Sequence, residues 1–203
     1  LYQNLGNGKF KEVIEDVFPQ ATWFTMGTAV TDTNVDGKPD FVAADMFPTT
    51  HYKQKASMAS MGSLTDALLA APGARQIMHN ALFVHSGTDR FYEAAYYSGI
   101  GQTDWTWAIK SGDYDQDGRP DLYFTNGAAR IFNHSDLPEI NHQTLVGRTH
   151  WDHYEKTPEK REQNLAYQNV GDMQYKDVSH EWGLNLVGMT HTSSQADLDN
   201  DGD

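Results

Sequence analysis

Three short stretches place oxygen-bearing side chains where a hard cation would be held. Asp113–Phe124 reads DYDQDGRPDLYF, Asp32–Ala43 reads DTNVDGKPDFVA, and Asp197–Asp203 reads DLDNDGD. Counted from the first Asp, ligand oxygens fall at positions 1, 3, 5 and 9, with glycine at position 6 for the sharp turn. The second loop offers the carboxylates of Asp113, Asp115, Asp117 and Asp121, and at position 7 the main-chain carbonyl of Arg119. The first offers Asp32, Asn34, Asp36, the carbonyl of Lys38, and Asp40. The third offers Asp197, Asp199, Asp201 and the carbonyl of Asp203. All-oxygen ligation of this kind favours calcium over magnesium, which demands a rigid octahedron and keeps its waters. The expectation is one Ca2+ per loop, up to three. Carboxylates this close repel one another without an ion, so the cation should also hold the loop shut. An EF-hand is excluded: it needs a Glu at position 12 and flanking helices, and Ala43 and Phe124 stand there, inside expected strands.

The elements that must carry these loops repeat with them. The loops begin 81 and 84 residues apart, and a second motif keeps the same spacing: LYQNLGNGKFKEV from Leu1, LFVHSGTDRFYEA from Leu82 and AYQNVGDMQYKDV from Ala166. Two features recurring in phase make an internal repeat. The second motif reads as a β-hairpin around turn glycines. A strand precedes each loop (24–30, 105–111 and 189–195), the first two with apolar residues at every second position, and another follows as DFVAAD or DLYFTN. Each repeat thus holds four short antiparallel strands, the content of a propeller blade. The expected fold is all-β, a fragment of a larger β-propeller with helical insertions. Its division is a partial blade at 1–46, a helical insertion at 47–78, a blade at 79–130, a helical or loop insertion at 131–163, and a partial blade at 164–203. The insertions should share one face of the array, because they follow the same strand in successive repeats.

Composition narrows the function. The formal charge is -13, but eleven of the 28 acids lie in the three loops, and the remaining 17 nearly balance 15 bases. Nucleic acid is therefore not an expected partner, since phosphate binding needs clustered Lys and Arg. No cysteine is present, which excludes disulfides and thiolate metal sites. No apolar run approaches a membrane span. No nucleophile elbow, phosphate-binding glycine loop or cofactor fingerprint occurs, so no catalytic residue is assigned. Trp105 and Trp107 alternate on one strand and are expected to form one packing cluster, with a carbohydrate platform as the alternative. His134, His142, His150 and His153 lack the spacing that fixes a third metal ligand and read as exposed. Met58 and Met61, three apart, read as a helix face packing on the sheets.

The segments LYQNLGNGKF, SMGSLTDA, QTDWTWAIKSGDYDQDGRPDLYFTNGAAR and ADMFPTTHYKQK resemble FG-GAP/VCBS-type repeats. They are most similar to the bacterial family that joins such repeats to an ASPIC/UnbV domain and is similar to cartilage acidic protein. That resemblance implies a propeller, calcium in the loops, and an extracellular, periplasmic or outer-membrane-associated location. One departure, VHSGTDRF in place of an Asn-rich hairpin, is expected to loosen that turn. The functional expectation is a calcium-binding scaffold for a protein or glycan partner at the cell surface or envelope. The alternative is a polysaccharide-active, lyase-like enzyme, which would need a base and a Lys or Arg in a groove beside a calcium site. The chain begins in a strand and ends in a motif, so it reads as an internal piece that needs the remainder of a longer chain to close a ring.

Overall fold

The computed structural model describes residues 1–57, 73–132, 134–137 and 146–198. It is mostly β, consistent with a propeller fragment. The chain opens with a hairpin of β1 (Tyr2–Gly6) and β2 (Lys9–Glu12), followed by the short helix α1 (Ile14–Val17) and β3 (Ala21–Thr22). Next come β4 (Gly27–Thr31), β5 (Asp40–Ala44), β6 (Met46–Phe47) and helix α2 (His51–Ser57). After β7 (Gln76–Ile77) lie β8 (Ala81–His85), β9 (Phe91–Glu93), β10 (Asp104–Gly112) and β11 (Asp121–Asn126). Helix α3 (His150–Tyr154), β12 (Glu162–Gln163), β13 (Leu165–Asn169), β14 (Tyr175–Asp177) and β15 (Val187–Gly188) complete the order.

Two antiparallel sheets dominate. One has the order β4-β5-β8-β9; the other runs β14-β13-β11-β10 and adds β6 at its edge. Each acidic loop is the turn between the first two strands of its sheet, and each hairpin motif supplies the last two. The hydrogen-bonded unit is therefore phased differently from the sequence division. Both long insertions lie inside a sheet, between its second and third strands, and both leave from the end opposite the acidic loops. They meet where Ser135 N–H donates to the carbonyl of Ala56 at 2.6 Å. Residues 58–72, with Met58 and Met61, and residues 138–145, with His142, lie outside the described residues.

The apolar alternation read in the sequence sorts the side chains. Val42, Ala44, Leu82 and Val84 from the first sheet join Ile109, Leu122, Phe124 and Leu165 from the second in one core. The opposite face of the first sheet is also covered, because Phe18, just after α1, stacks on Phe83 at 4.2 Å and packs edge-on against Phe41 and Phe91. Rings meeting at these angles add to the area they bury. The sheets approach closely along β4 and β10: a Cβ on Gly27 would come within 2.7 Å of the Trp107 carbonyl oxygen.

Two expectations change. Residues 189–195 form no strand; Thr190 N–H reaches the carbonyl of Asn126, but no ladder partner exists among the described residues. β4 and β10 are held by the strands that follow their own loops, whereas the residues from Asp199 onward lie outside the described residues. The two tryptophans do not share a cluster. The β10–β11 register shifts between Thr106 and Ala108, so Trp107 is the bulged residue and the two-residue alternation breaks there. Trp105 lies under Lys160, while Trp107 donates its indole N–H to the Gly127 carbonyl and meets His191 edge-on. No described helix is long and apolar enough to cross a membrane.

Candidate metal centre

The two described loops are drawn by the same bonds. Asp113 accepts from the Asp117 and Gly118 N–H groups at 3.0 and 2.9 Å, as Asp32 does from Asp36 and Gly37 at 3.0 and 2.7 Å. Asp117 accepts from Arg119 N–H and Asp36 from Lys38 N–H, both at 2.9 Å. Position 6 takes a positive φ in each, 84° at Gly118 and 82° at Gly37, where a Cβ would be strained. Position 4 does so as well without being glycine: Gln116 stands at 59° and Val35 at 57°. That tight coil turns the side chains of positions 1, 3 and 5 towards one another.

Among the described residues, one group of three or more acidic or histidine side chains could hold a metal: Asp113, Asp115 and Asp117, with carboxylate oxygens within 4.8 Å of one another. Calcium–oxygen distances of about 2.3–2.6 Å put ligands across the ion about 4.6–5.2 Å apart, so this spacing is of the size of one calcium shell. Asp115 also accepts from the Gln168 side-chain amide. In the first loop Asn34 replaces one carboxylate, and its amide lies 3.3 Å from Asp36. Lys38 sends its ammonium to within 3.9 Å of Asp36. The Arg119 guanidinium pairs with Asp117 and also donates to the Asn169 carbonyl at 2.9 Å, so its side chain ties the loop to β13. Asp197 is exposed, and Asp199, Asp201 and Asp203 lie outside the described residues.

The acids at position 9 stand apart from this group. Asp121 is fully buried; one oxygen accepts from Tyr114 N–H at 3.0 Å and the other from Asn169 N–H at 2.8 Å. Asp40, equally buried, accepts from Thr33 N–H at 2.9 Å and from His85 N–H at 2.8 Å. Each therefore clips its loop to the third strand of its own sheet. Burial pushes the Asp121 carboxyl above the usual range, against the lowering effect of its two amide donors. Burial likewise pushes the neighbouring Tyr114 hydroxyl up to about 12.

Several positioning residues are not visible as motifs. Asn169 also donates its side-chain amide to the Thr33 carbonyl of the first loop at 2.9 Å and to the Pro120 carbonyl of the second at 3.3 Å, locking the loops together. Its Oδ1 accepts from Gly171 N–H at 3.0 Å; in the same way Asn4 accepts from Gly6 N–H at 2.8 Å, and His85 Nδ1 from Gly87 N–H at 3.0 Å. The hairpin with histidine is therefore not loosened, because an imidazole nitrogen replaces the amide oxygen. A second clip recurs: Asn80 accepts from Asp45 N–H at 2.8 Å and Asn164 from Asn126 N–H at 2.9 Å. Their spacings, 84 for the asparagines and 81 for the recipients, are those of the motifs and are the signal by which they could be found.

Residues 64–124 match an FG-GAP-like repeat. The match takes in the hairpin β8–β9, strand β10, the second acidic loop and most of β11, so it covers the loop whose three carboxylates converge. It supports the repeat family and a propeller-type interaction scaffold. No curated protein and no solved structure matches the chain.

Proposed function

We propose that the chain is part of a calcium-stiffened propeller that works as an interaction scaffold outside the cytoplasm. In this reading each four-stranded sheet is one blade, and its acidic loop binds one calcium through positions 1, 3 and 5 and the carbonyl of position 7. The observation that carries it is the second loop, where Asp113, Asp115 and Asp117 already converge within the span of one calcium shell. The first loop supports it by repeating that hydrogen-bond pattern. The joined insertions form the face that meets a protein or glycan partner at the cell surface or envelope. Kinship to the ASPIC/UnbV family and an extracellular, periplasmic or outer-membrane-associated location belong to this proposal.

The hairpin β1–β2 bears on the partner question. Tyr2 and Phe10 are exposed, whereas Phe83 and Tyr167, the repeat equivalents of Tyr2, and Tyr175, an equivalent of Phe10, are buried. Strand β8 is covered by β5 and β13 by β11, so the part that suits β1 is a loop-bearing strand pair from the remainder of a longer chain.

The enzyme reading requires a lysine-bearing groove beside a calcium loop. One groove beside the second loop carries Lys110 with Asp113, Tyr114 and Tyr123. Another, with Lys53 and Lys160, sits at the Asp104 end of β10, about 26 Å from the loop at about 3.3 Å per residue. The scaffold reading is preferred on the FG-GAP-like match, which supports a propeller-type interaction scaffold.

The test is thermal melting with chelator and then across a calcium series, with magnesium as control. A calcium-specific rise in Tm is expected, and Asp117→Ala should abolish the part due to the second loop. If the parent melts alike in chelator, calcium and magnesium, the loops are not structural calcium sites.

A further inference from the structure

The first residue of β10, Asp104, has φ 69°, a left-handed conformation that Asp tolerates better than most residues. Its nearly buried carboxylate accepts from Thr49 N–H at 2.9 Å and Thr49 Oγ1 at 3.0 Å, and pairs with Lys53 Nζ of α2 at 2.6 Å. Beside it, Glu162 in β12 accepts through Oε2 from Trp105 N–H at 2.9 Å. Lys160 lays its Nζ 4.4 Å over the Trp105 ring and 3.9 Å from Glu162 Oε1. The four charges balance. Their hydrogen bonding does not.

Lys53 and Asp104 satisfy one another. Lys160 does not join them: its side chain is 14 % exposed, its nearest carboxylate oxygen is beyond hydrogen-bond reach, and none of its three N–H groups makes a hydrogen bond among the described residues. Glu162 Oε1 likewise accepts no hydrogen bond. Neither Lys160 Nζ nor Glu162 Oε1 is enclosed without a partner, and the ion pair keeps hydrogen-bonding capacity for a group in the adjoining space. The two groups adjoin a pocket of about 280 Å³ at the junction of the two insertions, walled by Met46, Pro48, Trp105 and Ile131, with Lys53 and Asp104 also on its lining.

We propose that this pocket binds a compact hydroxycarboxylate, the class that includes sugar acids. The carboxylate of the ligand takes the free N–H groups of Lys160, a ligand hydroxyl donates to Glu162 Oε1, and the carbon body lies against Pro48, Trp105 and Ile131. A plain carboxylate leaves the Glu162 oxygen facing an anion; a neutral sugar offers the ammonium only an uncharged hydroxyl acceptor. A ligand with both groups gives the ammonium a charged acceptor and the carboxylate a donor. A desolvated site strengthens each of these bonds. The site stands apart from the acidic loops, so it holds whether or not they bind calcium.

The same chemistry could arrive as a free hydroxy acid or as a uronate unit of a glycan. Calorimetric titration of the whole chain with glucuronate, with a uronic-acid trisaccharide, and with glucose and acetate as controls separates these. Glucuronate should bind, and glucose and acetate at least tenfold more weakly. A trisaccharide binding tighter than the monomer points to a glycan, and one that fails to bind points to the free acid. Lys160→Met should weaken glucuronate at least tenfold, and Glu162→Gln severalfold. Because Lys160→Met leaves a buried carboxylate unpaired, Ile131→Trp serves as a second variant, which fills the pocket with all four charges in place and should also abolish binding. Glucuronate binding unchanged by Ile131→Trp, or no binding by the parent, overturns the proposal.

Discussion

At the scale of single residues, the acids of the loops divide into two kinds that share one side chain. The oxygens of Asp113, Asp115 and Asp117 lie within 4.8 Å of one another, whereas Asp121 is fully buried and its two oxygens accept from Tyr114 N–H and from Asn169 N–H of β13. The difference can be measured. Asp121→Asn keeps one acceptor but turns an N–H2 towards a buried N–H donor, so it should cost about 1–3 kcal/mol even in chelator. Asp117→Ala should cost little in chelator and show its effect only with calcium. Denaturant titrations of both variants, with and without calcium, check this. Equal losses in chelator would mean that the two positions do the same work. Asn169→Ala should resemble Asp121→Asn, because it releases carbonyls in both loops at once.

Glu162 and Lys160 supply a residue-scale test by pH. Burial is the largest influence on each, raising the Glu162 carboxyl above 4.5 and lowering the Lys160 ammonium below 10.5, in both cases against the attraction of the pair. A carboxyl with a raised folded-state value binds its proton more tightly in the folded chain. Stability therefore falls as pH rises from about 4.5 through that raised value. Glu162→Gln cannot lose a proton, so it lacks this fall. Measured against pH, the parent should lose stability relative to Glu162→Gln over that window; parallel curves would show that burial does not set the carboxyl's charge.

Elements are joined here by glycines at backbone contacts as much as by side chains. Gly127, just past β11, has φ 110°, and a Cβ on it would lie 2.3 Å from the Gly188 carbonyl oxygen. Gly118 in the second loop has φ 84° with nothing within 4 Å of its Cβ position. Gly118→Ala should therefore cost only the conformational strain, about 1–2 kcal/mol, while Gly127→Ala should cost more by forcing β11 and β15 apart. Melting both variants in chelator gives the order, and a milder effect at Gly127 would show that the approach of β15 is easily relieved.

For the whole molecule, the central fact is that the sheet is not the sequence repeat. A loop and the strands around it close locally, but the third strand arrives from beyond an insertion, at residue 81 in one sheet and residue 165 in the other. Calcium at one loop would thus brace a connection spanning an entire insertion, since the Asp40–His85 and Asp121–Asn169 bonds end on those third strands.

Sequence alone determined the local terms. Loop chemistry, hairpin positions and strand alternation depend on residues within about a dozen positions of one another, and types and spacing carry them: Gly118 for the turn, Asp113 and Asp117 for the coil, Val42 and Ala44 for the inner face of β5. Only the tertiary structure decided what depends on distant residues meeting. It made clips of Asp40 and Asp121, gave Trp105 and Trp107 separate partners in Lys160 and His191, and left 189–195 without a ladder partner among the described residues. It also brought Lys53, Asp104, Lys160 and Glu162, more than a hundred residues from end to end, around one pocket. Periodicity fixes which way a side chain faces along its own strand. What it then meets depends on which strand folds back beside it, and a burial or an unmet hydrogen bond exists only after that.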